Sequence, residues 1–177
     1  MEITRENLAS NSEHWAEIDG YWNYQVSWWG RVRNTKTGRI LKGGQSNGYL
    51  SVGLCKNGKH KTHFIHKLVA REWVSNPEGK RCVDHIDGRR HNNHWENLRY
   101  ATHSENSRNS KNRTDGSSAY KGVDYYKPLG KWRATIGLAG KTKHLGYFTN
   151  EREAAEAYNA AAVEHYKEFA KLNIFED

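Results

Sequence analysis

The sequence predicts an α+β protein made of two units. Short alternating polar and apolar runs, separated by Gly and Asn, indicate a β-rich first unit with short helices. A long alanine-rich segment near the C-terminus follows three further alternating runs, which predicts a three-stranded antiparallel sheet packed on one helix. Between the two, residues 104–119 are almost devoid of apolar side chains and rich in Ser and Asn, and their second half reads as a flexible linker.

The first unit is predicted to contain short strands joined by tight turns. Asn57-Gly58 is a strong hairpin signal, because both residues tolerate positive φ. Apolar residues from Ile65 to Trp73 recur at helical spacing, and Asn76-Pro77 ends that helix. The predicted strands are Tyr24–Trp28, Gly30–Arg33, Arg39–Leu41, Tyr49–Leu54, Thr62–Ile65 and Cys82–Ile86, and 97–110 is predicted as a strand followed by a helix.

The second unit is predicted from three strands and one helix. The strands are Lys121–Tyr126, Trp132–Leu138 and Thr142–Tyr147, joined by turns that contain glycine. The helix runs from Glu151 to about Ala170, with Asn150 as its N-cap and Glu153 in its first turn. Alanines on one helix face allow close packing on a sheet.

Charge and composition exclude several classes of protein. The chain has 28 Lys and Arg against 20 Asp and Glu, a formal net charge of +8, which favours a polyanionic partner. No apolar run is long enough to span a membrane, and the two cysteines, Cys55 and Cys82, exclude a disulfide scaffold. No signal peptide is evident, so we expect an intracellular protein. Positive charge is most concentrated in 120–148, whereas 149–177 is acidic, so the sheet is the expected polyanion face and the helix the outward side.

The chemically informative stretch is residues 83–106. It places Asp84 beside His85, then a turn at Asp87-Gly88, a loop rich in Asn, and a further Asn before a basic helix. Phosphodiester hydrolysis needs a base for water, a cation to stabilise charge on the phosphate, and ligands for that cation. Neighbours on a regular strand point to opposite faces, so Asp84 and His85 can share a site only at a strand end or kink. The Asp87-Gly88 turn makes that possible.

The pattern D-H-x-D-G-x-x-x-N-N-x-x-x-N-L, followed by S-E-N, resembles the HNH nucleases of the phage and group I intron homing type. Their core is a ββα-metal finger, and the resemblance covers residues 60–109. It implies that His85 is the general base, that Asn97 ties the loop together, and that Asp84 and Asn106 hold one divalent metal ion. An oxygen-donor pair favours Mg²⁺ or Mn²⁺ over Zn²⁺.

The flanking segments resemble two DNA-contacting modules. Residues 15–33 are similar to a small β-rich module often found before such HNH domains. Residues 120–173 resemble the plant ethylene-response-factor (APETALA-type) DNA-binding domain, whose sheet enters the major groove. Thr135 and Gly137 stand where the plant proteins tend to have Glu and Arg, so the plant target sequence is not implied. The predicted organisation is a module at 1–56, an HNH domain at 57–110, a linker at 111–118 and an APETALA-type domain at 119–177.

Basic and aromatic side chains in these segments are the predicted DNA contacts. A solvated hairpin face is the alternative for those in the first module, and a solvated turn for those in the catalytic loop. The predicted contacts are Arg31, Arg33, Lys36, Arg39, Arg89, Arg90, Lys121, Trp132, Arg133, Lys141 and Lys143.

Together these resemblances imply a site-specific, metal-dependent endonuclease that acts on double-stranded DNA as a monomer and nicks one strand per binding event. It would work in the cytoplasm of a bacterial or phage-infected cell. One alternative is a non-catalytic, sequence-specific DNA-binding regulator with a degenerate HNH unit. Another is a restriction-type nuclease.

Overall fold

The computed structural model describes residues 12–110 and 116–175. The chain divides between Ala101 and Thr102 into two compact units. The predicted HNH domain at 57–110 crosses that division, because its last helix groups with the second unit. Residues 111–115 of the predicted linker lie outside the described residues. Ser117 and Ser118, at its end, already hydrogen-bond within the second unit, to the Tyr125 N–H and to Glu151.

The first unit contains three antiparallel sheets and one helix. Strands β1 to β3 form the first sheet, β4 to β6 the second, and β7 and β8 the third. Helix α1 follows β6 directly and packs on β5. The elements are β1 (Trp15–Glu17), β2 (Tyr24–Ser27), β3 (Val32–Asn34), β4 (Gly44–Ser46), β5 (Tyr49–Lys56), β6 (Lys59–Phe64), α1 (Ile65–Trp73), β7 (Cys82–His85) and β8 (Leu98–Ala101).

One hydrophobic core serves the whole first unit. It joins side chains of the first sheet, such as Val26 and Val32, to Leu54 of β5, Val69 of α1 and Leu98 of β8, all of them buried. Residues of the predicted N-terminal module and of the predicted nuclease domain therefore share a core. Burial of this shared apolar surface couples the two segments in folding.

The second unit has the predicted architecture of a three-stranded antiparallel sheet packed on one helix. The sheet order is β11, β10, β9, and α3 packs on β10 and β11. Asn150 caps α3 by accepting a hydrogen bond from the Arg152 N–H at 2.7 Å. The elements are α2 (His103–Arg108), β9 (Val123–Tyr126), β10 (Lys131–Leu138), β11 (Lys141–Phe148) and α3 (Glu151–Tyr166).

Several predicted boundaries differ from the structure. The pattern missed the short strands β1 and β4, and the predicted strand Arg39–Leu41 is reduced to a single bridge between Arg33 and Ile40. Helix α3 ends at Tyr166 instead of Ala170, because Lys167 takes a positive φ of 50° and the chain tightens into a 3₁₀ turn. The helical periodicity of apolar residues continues past Tyr166, so this pattern could not reveal where the helix ends.

A substitution at Gly122 is expected to unfold the second unit. Its φ is +76°, and a Cβ there would lie 2.0 Å from Cδ2 of Tyr158 and 2.8 Å from the Thr135 carbonyl oxygen. The buried ring and the strand backbone cannot both move aside, so Gly122→Ala should cost at least about 3 kcal/mol. Hydrogen exchange should show lost amide protection in 116–175. Gly140→Ala is the matched control, with a φ of +77° and no atom within 4 Å.

Candidate active site

The carboxylate and imidazole predicted to act together lie at the end of a strand. Strand β7 ends at His85, and both Asp84 and His85 are buried, each at 5% exposure. Register pairs Asp84 with Arg99 and His85 with Leu98 on β8. The turn after β7 is closed by the Gly88 N–H, which donates to the His85 carbonyl at 2.8 Å. Asp84 and His85 therefore lie at a strand end, where neighbouring side chains can share one site.

Asp84 is held by a cation from the neighbouring strand. Arg99 donates from both Nε and Nη2 to Oδ2 of Asp84, at 2.9 and 2.8 Å. The Arg99 side chain is only 16% exposed, so the pair is largely shielded from water. This ion pair compensates the cost of burying the Asp84 carboxylate and fixes its orientation.

His85 lies between an amide and a group of aromatic rings. Its Nε2 is 3.0 Å from Oδ1 of Asn93, which is itself 3% exposed. The ring centroid of His85 lies 5.2 Å from that of His66 and 5.9 Å from that of Tyr49. Packing and one side-chain hydrogen bond thus restrict the orientation of the imidazole.

Asn97 connects the two ends of the loop that follows His85. Its Oδ1 accepts from the Asp87 N–H at 3.0 Å, and its Nδ2 donates to Oδ1 of Asp87 at 3.0 Å and to the Asn92 carbonyl at 2.8 Å. These contacts span the loop from its first turn to its last. Truncating the side chain would leave several polar groups without partners.

Asp87 organises the same loop through its carboxylate. Partial burial acts to raise the pKa of Asp87, but hydrogen bonds from the Asn92 side chain, the Arg89 N–H and the Asn97 side chain outweigh it and lower the pKa below its ordinary value. Asp87 therefore stays ionised and its oxygens are engaged within the turn.

Asn106, the predicted second metal ligand, lies on α2. Thr102 caps this helix in a capping box with Glu105, which fixes the helix start four residues before Asn106. Asn106 belongs to the second unit and Asp84 to the first, so their pairing stays a prediction from the sequence.

Oxygen donors in this region suit a hard divalent cation. Asp84 supplies a buried carboxylate, and Mg²⁺ typically takes one or two protein carboxylates while water and substrate phosphate complete its shell. Across residues 12–110 and 116–175, no group of three or more His, Cys, Asp or Glu side chains is placed to hold a metal ion. The donor chemistry fits an Mg²⁺-like ion with few protein ligands better than a closed zinc site.

The predicted DNA contacts in the loop that follows His85, Arg89 and Arg90, are both exposed. The Arg89 backbone N–H caps the Asp87 carboxylate, which leaves its side chain at the loop surface. Arg90 lies over the Tyr49 ring at 4.8 Å and donates to the Asn47 carbonyl at 3.3 Å. The β4–β5 hairpin thereby positions Arg90 beside the loop.

The basic residues of the first sheet are arranged around a tryptophan. The Arg33 guanidinium stacks over Trp15 at 4.3 Å and donates to Oε1 of Gln25. Arg31 is ion-paired with Glu13 and lies 5.8 Å from the Trp15 ring. Lys36 and Arg39 are exposed in and beside the turn after β3. Arg31 and Arg33 are thus held in place, whereas Lys36 and Arg39 extend into solvent.

The five predicted contacts of the second unit do not share one surface. Arg133 lies on the face of the sheet opposite α3, whereas Trp132 packs against the core between sheet and helix. Lys141 and Lys143 are exposed on the edge strand, in register with Leu138 and Ile136 of the helix-facing side. Lys121 precedes β9 instead of lying in it, and its amine donates to the carbonyls of Arg108 and Ser110. Burial and then the charge of Lys171 lower the pKa of Lys121 to about 8.

Sequence reasoning predicted Arg133 as a contact but missed the aromatic residues around it on the face of this sheet opposite α3. We call Arg133, Tyr126, Tyr147 and His144 the outer-face patch. The Tyr126 and Tyr147 rings are 5.2 Å apart, the His144 and Tyr147 rings 4.4 Å, and Arg133 lies over Tyr126 at 5.1 Å. Asp124 orients Arg133 through two hydrogen bonds, at 3.1 and 2.9 Å. The alternation of side chains along each strand could have revealed this patch, because it puts Tyr126, Arg133 and Tyr147 on the same face of the sheet.

Acidification should destabilise the first unit through His66. Burial, with smaller contributions from His85 and Lys67, lowers the pKa of His66 from 6.5 to about 4. Because the unfolded chain binds this proton more tightly, stability is complete above pH 6.5 and falls as the pH drops towards 4. We expect a loss of roughly 2 kcal/mol in the free energy of unfolding. Urea unfolding, followed by tryptophan fluorescence at several pH values, measures it.

His66→Phe is the control for this titration. The ring packs against Tyr49 and Phe64, so phenylalanine preserves the aromatic contacts and removes the titrating group. The variant should lose clearly less stability between pH 6.5 and 4 than the wild type. Identical pH profiles for the two proteins would contradict this assignment.

The strand–loop–strand–helix order of β7, β8 and α2, with an aspartate–histidine pair at the strand end, is that of a ββα nuclease finger. In agreement, residues 64–108 match the family model described as HNH endonuclease. Residues 13–55 match the NUMOD4 motif. These two segments are therefore similar to a NUMOD4 motif followed by an HNH endonuclease domain.

Individual relatives match each part of the chain. DNA endonuclease I-HmuI of Bacillus phage SP01 is 42% identical over 73 residues, 40% of this chain and 42% of that protein. A solved structure, titled as DNA binding and cleavage by the HNH homing endonuclease I-HmuI, matches with a TM-score of 0.50 and 41% identity, over 54% of this chain and 56% of that one. An uncharacterized HNH endonuclease of Acanthamoeba polyphaga mimivirus is 39% identical over 71 residues, 40% of this chain and 22% of that protein.

The second unit has relatives of its own. An AP2-like ethylene-responsive transcription factor of Arabidopsis thaliana is 47% identical over 58 residues, 32% of this chain and 12% of that protein. This chain spans less than half the length of each of these three relatives. None of the helices among the described residues is long and apolar enough to cross a membrane.

Proposed function

We propose that this chain is a metal-dependent DNA endonuclease of the HNH homing type that nicks one strand of double-stranded DNA per binding event. The observation that carries the proposal is the Asp84-His85 pair at the end of β7, with Asn93 on the imidazole and Arg99 on the carboxylate. It lies within the segment that matches the HNH endonuclease family. A buried base next to a buried carboxylate suits hydrolysis of a phosphodiester.

In this mechanism His85 accepts a proton from the water that attacks the scissile phosphate. A bound divalent ion, Mg²⁺ or Mn²⁺, supplies stabilisation of negative charge on the phosphate and the leaving oxygen. Asp84 is the first ligand for that ion, and Asn106 is its predicted second ligand. Asn97 keeps the loop closed over the site through its hydrogen bonds to Asp87 and Asn92.

DNA is bound by surfaces in both units. In the first unit, Arg31, Arg33, Lys36 and Arg39 contact the backbone of the duplex, and Arg89 and Arg90 contact phosphates near the cut. In the second unit, the outer-face patch supplies an arginine and aromatic surfaces, and the exposed Lys141 and Lys143 on the edge strand are further predicted contacts. The other two predicted contacts are engaged within the unit, because Trp132 packs against the core and the Lys121 amine donates to backbone carbonyls. We propose that the protein acts on DNA as a monomer and that it does so inside the cell.

The position of the cut can be found with DNA that flanks the gene. Purified protein, incubated with that DNA and Mg²⁺ or Mn²⁺, should produce a unique end whose sequence gives the site and the strand. A single nick in one strand supports the proposal. Cuts spread over unrelated sequences would contradict site specificity.

Similarity of the second unit to a transcription factor favours a second candidate, a non-catalytic DNA-binding regulator. This candidate predicts specific binding without cleavage under any divalent metal. The proposed nuclease predicts specific binding together with cleavage.

DNA affinity should depend strongly on salt. Each basic side chain that neutralises a phosphate releases counterions, so six to ten such contacts would lower affinity by about 10³–10⁵ between 50 and 200 mM salt. Fluorescence anisotropy with a labelled duplex measures the slope, and Arg33→Ala should reduce it by about one. A flat salt response would contradict a basic DNA-binding surface.

A further inference from the structure

The NUMOD4 segment contacts the loop that follows His85. The turn between β2 and β3, residues 27–31, is the point of contact, and we call it the β2–β3 turn. Its Trp28 carbonyl accepts a hydrogen bond from the Trp95 N–H at 2.8 Å. The Trp28 ring also lies 6.1 Å from that of Trp73 on α1. The turn is therefore attached both to the loop and to the helix of the nuclease segment.

Gly30 brings this turn against Asn93. Its φ is +82°, and a Cβ on Gly30 would lie 2.7 Å from Cβ of Asn93 and 3.2 Å from the Asn93 carbonyl oxygen. Such a distance leaves no room for a side chain. The bare glycine backbone thus forms one wall of the space that holds Asn93.

Asn93 reaches from that wall to the imidazole of His85. Its Oδ1 is 3.0 Å from Nε2 of His85, and an amide oxygen can only accept. With Oδ1 of Asn93 as the acceptor, this contact favours the tautomer in which Nε2 carries the imidazole proton and Nδ1 is the basic nitrogen. The Nδ2 group of Asn93 is buried and has no hydrogen-bond partner among the described residues. Among the described residues, the side-chain amide of Asn93 therefore makes its hydrogen bond through Oδ1, to His85.

We propose that the NUMOD4 segment is part of the catalytic machinery as well as a DNA-contacting module. Its β2–β3 turn seats Asn93, and Asn93 is a positioning residue that fixes the tautomer and orientation of His85. This inference rests on the proposed function insofar as it takes His85 as the base. If the segment only contacted DNA, changes in the turn would alter affinity and leave the cleavage rate unchanged.

The first test compares two glycines with similar backbone conformation. Gly30→Ala places a methyl group against Asn93, whereas Gly58→Ala, at a φ of +75°, meets no atom within 4 Å. The substrate is an intact duplex that contains the nicking site, with protein in excess. Gly30→Ala should lower the single-turnover rate constant for nicking about 10²-fold, while the Kd for DNA stays near the wild-type value. Gly58→Ala should leave both unchanged. A Gly30→Ala protein that loses only affinity would overturn the proposal.

A second pair of variants covers the case in which Gly30→Ala does not fold. Asn93→Asp retains an oxygen acceptor for His85, and Asn93→Leu removes it while keeping the same branched skeleton of heavy atoms. Nicking should persist in Asn93→Asp and fall about 10²-fold in Asn93→Leu, again with unchanged DNA affinity. Equal rates for Asn93→Leu and the wild type would overturn the role of Asn93.

A spectroscopic test separates this inference from the proposed activity. Long-range ¹H–¹⁵N spectra of the free full-length protein at about pH 8 report which imidazole nitrogen of His85 carries the proton. The wild type should show the Nε2–H tautomer, and Asn93→Leu a mixture of both. An Nδ1–H tautomer in the wild type would overturn the inference even if the protein nicks DNA. An Nε2–H tautomer in a protein that nicks nothing would support the positioning and refute the activity.

Discussion

His85→Ala is expected to abolish nicking while the protein still folds and binds DNA. His85 is buried at the end of β7 and is the group proposed to take the proton from the attacking water. Removal of a general base typically costs about 10²–10⁴-fold in rate. Single-turnover cleavage of an end-labelled duplex measures the loss, and anisotropy with the same duplex measures the affinity.

A second histidine provides the matched control. His60 is exposed on β6, so His60→Ala removes an imidazole from the same unit without touching the site. Its cleavage rate should equal that of the wild type. If His85→Ala cleaves as fast as His60→Ala, the base has been assigned to the wrong residue.

Asp84→Asn should have the second largest effect, through the divalent ion. The substitution keeps the shape of the side chain and an oxygen for Arg99 but removes the negative charge that binds the cation. We expect a rate loss of about 10²-fold or more at millimolar Mg²⁺, partly recovered at higher Mg²⁺. Rates measured across a titration of Mg²⁺ and of Mn²⁺ test this.

Asparagine is chosen at position 84 because alanine would disturb the fold. Asp84→Ala leaves the poorly exposed Arg99 guanidinium without its carboxylate, at a cost of about 3 kcal/mol. Asp19→Asn is the control, since Asp19 forms an exposed ion pair with Arg71 in the same unit. It should cleave at the wild-type rate. Full activity of Asp84→Asn at low Mg²⁺ would contradict the ligand role.

Much of the fold was predictable because local patterns and tertiary structure agree. The Asn57-Gly58 turn, the spacing from Ile65 to Trp73 and the alanine-rich face of α3 each specify one element with little competition. The shared core of the first unit was not predictable, because strand pairing between sequence-distant segments leaves no periodic signal. The predicted boundary between residues 56 and 57 falls in the hairpin between β5 and β6, within that single unit.

The candidate site likewise contains some residues that the sequence could point to and others that only the tertiary structure shows. The resemblance to HNH nucleases pointed to Asp84, His85 and Asn97, and the contacts of Asn97 could be anticipated because they lie within one short loop. Arg99 was missed because its contact with Asp84 depends on the register between β7 and β8. The sequence predicts no role for Asn93 in the site, since its orientation towards His85 depends on Gly30, a residue 63 positions earlier in the chain.

Relaxation of a supercoiled plasmid carrying the flanking DNA of the gene is the most direct measurement of the proposed activity. Wild-type protein with Mg²⁺ or Mn²⁺ should convert the supercoiled form to the open circle, and chelation of the metal with EDTA should prevent the conversion. His85→Ala from a parallel preparation should leave the plasmid supercoiled. Binding of the wild type to that DNA, without relaxation under either metal, would contradict the proposal that this chain is an endonuclease.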